Sequence, residues 1–167
     1  MDMDTIKAIE NRRSIRKYKL GIKIPCADKK AILEAAMLAP SACNTRPWEF
    51  LVVESEDIKE KLSQYKPQVA SASFCVVVCA RPDRQSGISE GYWPQDCGAA
   101  VENMLLKAYD LGYGSCWCGV YPREERVAAF KEILGVTSVP FAVVTFGVSD
   151  EAPEMRGFYD ETAVKTV

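Results

Sequence analysis

The chain has 167 residues, a formal net charge of −2, 48% hydrophobic residues, seven cysteines and no histidine. The absence of histidine excludes hydrolases with an imidazole base, histidine-ligated zinc sites and haem held by a proximal histidine. A chemical step is therefore expected from a bound cofactor, a perturbed carboxylate or a thiolate, and the length predicts one domain over residues 1–167.

The N-terminus and the apolar runs predict a cytoplasmic protein without a membrane span. The first five residues, MDMDT, begin acidic and do not resemble a secretory signal. The longest apolar run, Phe74 to Ala80, is far shorter than the roughly 18 residues that indicate a membrane helix. The cysteines, at positions 26, 43, 75, 79, 97, 116 and 118, are expected as reduced thiols that act as small buried side chains, because their spacing matches no metal signature.

Local patterning predicts helices and strands in irregular alternation. Helices are expected at 3–11, 28–39, 56–65 and 94–111 and between Pro122 and Gly135, with Asp28 as an N-cap and Pro40 as a stop. Strands are expected at 50–53, 74–79, 115–120 and 139–148, with an exposed loop from Pro82 to Pro94 and an irregular tail from Ser149. Regular βαβ units are too few for a doubly wound sheet, so the predicted fold class is α+β.

A cluster of charge follows the first predicted helix. Arg12, Arg13, Ser14 and Arg16 place three guanidinium groups and one hydroxyl within five residues. Guanidinium forks match phosphate oxygens, so a phosphate cradle is one interpretation and a solvated basic turn is the other. A nucleic-acid partner is not expected, because the isoelectric point is near 5.3 and no basic aromatic stripe accompanies the cluster.

A polar loop held between two prolines, Pro40 and Pro47, leads into the first strand. Ser41, Asn44 and Arg46 offer donors and acceptors that suit the polar edge of a planar heterocycle. The alternative interpretation is ordinary turn chemistry beside a buried Trp48.

These two segments resemble the N-terminal signatures of the FMN-dependent nitroreductase family. They are Asn11-Arg12-Arg13-Ser14-Ile15-Arg16-Lys17-Tyr18 and Ala39-Pro40-Ser41-x-x-Asn44-x-Arg46-Pro47-Trp48-Glu49-Phe50. Further similarity lies in the helix from Asp96 to Ala108, the turn from Leu111 to Trp117, the strand beginning at Pro140, and Arg156 in the C-terminal basic motif. The resemblance runs from about residue 5 to residue 165.

The resemblance implies a nitroreductase-like α+β fold, with a central mixed β-sheet flanked by helices, in an intertwined homodimer that binds FMN in two interface clefts. Arg12, Arg13, Ser14, Arg16 and Arg156 would hold the FMN phosphate and ribityl chain. Ser41, Asn44 and Arg46 would approach the isoalloxazine from the partner subunit, and Cys118 and Gly119 would lie near N5. A hydride would pass from NADH or NADPH through N5 to a nitroaromatic, a quinone or a related acceptor in a ping-pong cycle. No catalytic side chain and no metal is assigned, because the flavin carries the chemistry.

Departures from the family pattern leave alternatives open. Arg46 stands where many members have glutamine, Glu154 replaces a basic residue, and the segment from Pro82 to Pro94 is short. The shortened segment predicts an open cleft with Tyr92 and Trp93 as walls for the acceptor, although both aromatics would equally pad the start of the long helix. The competing functions are an FMN-binding or sensing protein with little turnover and a thiol or metal protein that uses Cys116-x-Cys118.

Overall fold

The structure is a computed structural model and describes residues 5–167. The helices are α1 Thr5–Asn11, α2 Cys26–Met37, α3 Glu56–Ser63, α4 Trp93–Asp110 and α5 Glu124–Leu134. The strands are β1 Trp48–Val53, β2 Phe74–Ala80, β3 Gly114–Gly119 and β4 Val139–Gly147. The predicted order of helices and strands is confirmed, and the part of the first predicted helix before residue 5 lies outside the described residues.

The four strands form one sheet in the order β1-β2-β4-β3, and each neighbouring pair is antiparallel. The expectation of a mixed sheet was therefore wrong. In residues 5–167 the only parallel pairing is an isolated bridge between Ser14 and Ser115. Strand β2 is buried along its whole length, as its continuous apolar sequence predicts. Burial on both faces requires apolar side chains whatever the strand direction, so the sequence pattern did not reveal the direction of pairing.

Helices cover both faces of the sheet, which confirms the α+β class. Successive residues of β2 point to opposite faces, so Phe74 packs towards α2 and α4 while Val77 packs towards α3 and α5. Phe74 stacks on Phe146 of β4 with ring centroids 4.8 Å apart. On the other face Phe130 of α5 and Leu62 of α3 are fully buried. Among residues 5–167, no helix combines the length and apolarity needed to cross a membrane.

The segment after α1 runs along the outer edge of β3 and brings the arginine cluster to the sheet. The N–H of Ile15 donates to the carbonyl of Ser115 at 2.9 Å. A Cβ atom added at Gly114 would lie 2.9 Å from three atoms of Ile15, so only glycine permits this approach. The buried Tyr18 donates its hydroxyl to the Ile15 carbonyl at 2.6 Å, and it would stand 2.7 Å from a Cβ atom at Gly147. Two glycines at the ends of β3 and β4 therefore hold residues 12–18 in place.

The start of α2 differs from the prediction. The helix begins at Cys26 after Pro25, whose carbonyl accepts the N–H groups of Asp28 and Lys29 at 3.1 Å each. Asp28 therefore lies in the first turn and is not the N-cap. Its carboxylate instead accepts the hydroxyl of Tyr113 at 2.6 Å, a contact from a residue 85 positions away.

Candidate functional site

A cationic cavity of about 470 Å³ lies between the end of α1 and the C-terminal tail. Four arginines line it, Arg12, Arg13 and Arg16 from one side and Arg156 from the other, together with Ser14. The structure thus brings together the residues that the sequence predicted for the phosphate, although 140 positions separate Arg16 from Arg156. Two carboxylates, Glu10 and Glu154, also line the cavity and offset part of its positive charge.

The tail reaches this cavity because it is tied to the segment after α1. The Glu151 carboxylate accepts the backbone N–H of Arg16 at 2.5 Å and that of Lys17 at 3.2 Å. The N–H of Asp150 donates to the carbonyl of Lys17 at 2.9 Å. These contacts direct residues 153–157 across the arginine cluster. No local pattern predicted the role of Glu151, because its partners are 134 and 135 positions away.

The arginines differ in how their guanidinium groups are engaged. Arg12 Nε pairs with Glu102 of α4 at 3.0 Å, and Arg13 donates to the carbonyls of Glu10 and Arg12 at 2.8 and 2.6 Å. Within residues 5–167 no carboxylate forms a salt bridge with Arg16 or Arg156. Arg16 donates weakly to the Ser14 carbonyl at 3.4 Å, so Arg16 and Arg156 keep most of their donors available to an incoming anion. An anion with several oxygens, such as a phosphate, matches this donor set.

The loop with Ser41, Asn44 and Arg46 lies outside this cavity. Three of its residues have left-handed backbone angles, with φ of 50° at Cys43, 54° at Asn44 and 49° at Arg46. Ser41 Oγ accepts the N–H of Arg46 at 2.9 Å, which closes the loop. Asn44 and Arg46 are exposed, and Arg46 lines a separate cavity of about 440 Å³. Within one chain the structure therefore does not join the loop to the arginine cluster, and its contact with the flavin of a partner stays a prediction.

The hydrogen bonding of β3 distinguishes Cys118 from Gly119, the two residues expected near the flavin. The Ser115 carbonyl accepts from Ile15 outside the sheet, whereas the Val120 N–H donates inwards to Phe141 of β4 at 3.0 Å. Because backbone groups alternate along a strand, those of Gly119 face the outer edge and those of Cys118 face β4. Of the predicted pair, only Gly119 presents its N–H at the open edge.

The cysteines of β3 are enclosed on the face covered by α3 and α5. Gln68 Nε2 donates to Cys118 Sγ at 2.6 Å, and Cys118 is 4% exposed. A hydrogen bond between the two thiols lowers the pKa of Cys116 and raises the pKa of Cys118. Burial raises the pKa of Cys75, Cys79 and Cys97 to about 12 in each case. Burial is thus confirmed for five cysteines, whereas Cys26 at a helix start and Cys43 in the strained loop are exposed, contrary to prediction.

An aromatic cluster lies where α4 begins and β3 ends. Trp93 meets Tyr121 edge-on, with centroids 4.7 Å apart, and Phe141 at 6.3 Å. Trp117 lies 5.9 Å from Phe141 and is 38% exposed. Trp93 is half-buried against the start of α4, as the alternative interpretation predicts, and Tyr92 is exposed. The contacts of both residues with an acceptor stay predictions. Trp117 was not among the predicted site residues, and the alternation with buried Cys116 and Cys118 places its side chain on the face of the sheet opposite to theirs.

Comparison with known proteins gives a consistent result along most of the chain. A model of the nitroreductase family matches residues 9–73 and 65–148. A protein of Archaeoglobus fulgidus named as an NADH dehydrogenase/NAD(P)H nitroreductase is 46% identical over 162 residues, which are 94% of this chain and 90% of that protein. A crystal structure with the same name from Parabacteroides distasonis has a TM-score of 0.91 and 26% identity over 99% of this chain and 98% of that chain. A nitroreductase structure in complex with FMN from Desulfovibrio desulfuricans has a TM-score of 0.86 and 26% identity, covering 100% of this chain and 98% of that chain.

Proposed function

We propose that this chain, which belongs to the nitroreductase family, is an FMN-dependent oxidoreductase that takes electrons from NADH or NADPH and reduces a nitroaromatic, a quinone or a related acceptor. The observation that carries the proposal is the arginine-lined cavity formed by the end of α1 and the tail. The names of the relatives and the FMN complex of a structural neighbour support the same chemistry.

The donor set of the cavity fits the phosphate of FMN. Arg16 and Arg156 approach from opposite walls, and the Ser14 hydroxyl adds a donor beside them. Each charge-assisted hydrogen bond to a phosphate oxygen contributes about 1.5–3 kcal/mol. Glu10 and Glu154 reduce the positive field, so we expect weaker retention of FMN than four arginines alone would give.

The outer edge of β3 would guide the cofactor from its phosphate to its ring. Ser115 lies beside the arginine segment and Gly119 lies four residues further along, which is about 13 Å in an extended strand. The Gly119 N–H at this edge would donate to N5 and orient the ring. When bound, FMN supplies two-electron hydride transfer in a ping-pong cycle, so no side chain of this chain is required as nucleophile or acid.

A second copy of the chain would complete each site. Ser41, Asn44 and Arg46 lie away from the arginine cavity of their own chain, so a homodimer would allow them to reach the flavin of the partner. Apolar side chains support this arrangement, since Leu38 is 82% exposed and lines a groove of about 520 Å³ between α1, α2 and α4. Arg46 would then place a positive charge near the ring and favour an anionic acceptor.

The test begins with the purified protein. It is expected to be yellow, to lose its flavin absorbance when NADH or NADPH is added without oxygen, and to regain it with menadione or nitrofurazone. Arg16→Ala should raise the dissociation constant for FMN at least tenfold and lower the FMN content of the purified protein, the effect of losing one charge-assisted bond. Lys61→Ala is the control, because it removes a cation that pairs with Asp57 on the surface of α3.

Three outcomes separate the alternatives. A colourless protein that takes up no added FMN contradicts the proposal. An FMN-loaded protein with negligible oxidation of NADH and NADPH is instead a flavin-binding or sensing protein. Unchanged FMN content in Arg16→Ala and Arg12→Ala removes the phosphate site from these residues.

A further inference from the structure

The loop formed by residues 41–46 combines a strained backbone with hydrogen bonds of its own, among them Asn44 N–H to the Ser41 carbonyl at 2.9 Å and Thr45 N–H to the Ala42 carbonyl at 3.1 Å. Cys43, Asn44 and Arg46 all have φ near 50°, a backbone region that residues other than glycine rarely occupy. Inside the loop, Thr45 Oγ1 donates to the carbonyl of Ala42 at 2.9 Å. Such a conformation persists only where surrounding contacts determine it. Contacts from outside the loop therefore help to fix it, and one of them is the hydrogen bond that Arg84 donates to the Arg46 carbonyl at 3.1 Å.

A buried carboxylate and a buried amide lie directly beneath the loop. Asp96, in the first turn of α4, is 6% exposed, and its Oδ1 accepts the N–H of Ala42 at 3.0 Å. Its Oδ2 accepts from Gln85 Nε2 at 2.8 Å. Gln85, which is 8% exposed, also donates to Thr45 Oγ1 at 3.3 Å and accepts the N–H of Trp93 at 2.9 Å. The start of α4 is thus linked to the loop through two side chains.

The charge of Asp96 is met by N–H donors rather than by a cation. Within residues 5–167 it forms no salt bridge, and its position in the first turn of α4 places it in the favourable field of a helix N-terminus. A buried carboxylate is costly unless it is fully hydrogen-bonded. An apolar residue would fill the same space without that cost but would leave the Ala42 N–H without its acceptor. The arrangement therefore serves the geometry of the loop.

We propose that Asp96 and Gln85 are positioning residues, which hold the backbone of residues 41–46 so that Ser41, Asn44 and Arg46 meet the flavin in a fixed arrangement. This inference rests on the proposed function, because it assumes that the loop contacts FMN. Both residues are buried beneath the loop, so this role requires no contact between them and the cofactor. Each acts through hydrogen bonds to the loop, Asp96 at Ala42 and Gln85 at Thr45.

A reciprocal exchange of the two groups tests the role. Asp96→Asn keeps the acceptor for Ala42 but points an NH₂ group at the NH₂ group of Gln85, and Gln85→Glu points one carboxylate at another. The double variant restores the hydrogen bond between positions 96 and 85 at unchanged net charge, because the amide at position 96 donates to the carboxylate at position 85, whose other oxygen still accepts from Trp93. The carboxylate cannot donate to Thr45 Oγ1, so that contact is kept only when the Thr45 hydroxyl turns its proton from the Ala42 carbonyl to the carboxylate. Asp57→Asn makes the same chemical change at an exposed surface pair with Lys61 and serves as the control.

Three readouts are taken on the full chain purified with FMN. The first is the release of FMN on dilution, which is measured by flavin fluorescence. The second is the shape of the visible flavin band. The third is hydrogen exchange at the backbone amides of Ala42 and Arg46. Each single exchange should release FMN at least tenfold more readily, alter the band and speed exchange at both amides at least tenfold. The double variant should return FMN release and the exchange rates to within about threefold of wild type and restore the shape of the flavin band. Asp57→Asn should match wild type in all three readouts. If Asp96→Asn does not accumulate as folded protein, Gln85→Met, which adds no charge, is measured with the same expectation.

Distinct results overturn the two inferences separately. Faster exchange in the loop with wild-type retention of FMN and an unchanged band overturns the positioning role and leaves the proposed function intact. Failure of the double variant to slow hydrogen exchange at Ala42, the amide held by position 96, overturns the positioning role of the pair. A wild type that holds no FMN refutes the proposed function and with it the flavin role, while the exchange rates still decide whether the pair anchors the loop.

Discussion

Replacing Gly114 by alanine tests how closely the arginine segment is held against the sheet. The added Cβ atom would lie 2.9 Å from Cβ, Cγ1 and Cγ2 of Ile15. Carbon atoms prefer separations of about 3.5–4.0 Å, so Ile15 and the backbone beside it must move outwards by roughly 0.5–1 Å. The N–H of Ile15 donates to the Ser115 carbonyl at 2.9 Å, and the same displacement lengthens that bond.

The expected cost follows from two opposing terms. Overpacking in a well-packed region costs about 1–3 kcal/mol, while replacing glycine in a strand returns about 0.5–1 kcal/mol of backbone entropy. The two terms leave a net loss in the free energy of unfolding of up to about 2.5 kcal/mol, with a midpoint near 1 kcal/mol, which in a domain of this size lowers the melting temperature by about 2–4 °C. Retention of FMN should also weaken, because Arg16 moves with Ile15.

Thermal unfolding of two further variants provides the controls. Gly98→Ala, in the interior of α4, brings the new methyl group only to 3.4 Å from Trp117, so helix propensity should raise stability by up to about 1 kcal/mol. Ile15→Ala removes two of the three clashing atoms, so Gly114→Ala should cost less in that background than in the wild type. An unchanged or higher melting temperature in Gly114→Ala, with normal retention of FMN, would refute the reasoning.

Two further predictions concern side chains that the sequence left without a partner. Folding raises the pKa of Tyr113 from 10.0 to about 12, chiefly because its hydroxyl donates to the Asp28 carboxylate. The folded chain then keeps a proton that the unfolded chain releases, so stability should fall as the pH rises from about 10 to about 12, and Tyr113→Phe should reduce that fall in urea unfolding measured across the range. Cys118→Ser and Cys116→Ser should leave FMN content and NAD(P)H oxidation within about threefold of wild type, since both thiols are enclosed beneath α3 and α5. Loss of activity in either variant with FMN still bound would favour a thiol function.

The sequence predicted the arginine cluster well because its members are close together in the chain. No knowledge of the fold was needed to propose Arg12, Arg13, Ser14 and Arg16 as an anion-binding group, and their place in one cavity is what the structure adds. Arg156 was added only through the family resemblance, and its place in the same cavity depends on Glu151 reaching back to the N–H of Arg16. Composition and periodicity carry no information about such a distant backbone contact.

The sequence was less informative where one pattern suits two arrangements. Continuous apolar strands predict burial on both faces but not the direction of pairing, which is antiparallel here. Cys118 and Gly119 were equivalent candidates, and the pairing of β3 with β4 separated them by turning the backbone groups of alternate residues to opposite edges. The resemblance marked Asp96 only as part of a helix motif, because its partners Ala42 and Gln85 are 54 and 11 positions away.

By itself, the sequence determined the order of helices and strands, the phosphate-type donor set and, through its ordered motifs, the nitroreductase family. Periodicity, turn residues and neighbouring charges depend on residues that are close together in the chain, so they can be recognised from the sequence alone. The tertiary structure alone decided the antiparallel sheet, the closure of the arginine cavity by the tail and the support of the strained loop by Asp96 and Gln85. These features depend on residues that are distant in the chain and meet only when the sheet and its helices pack, so no local pattern encodes them.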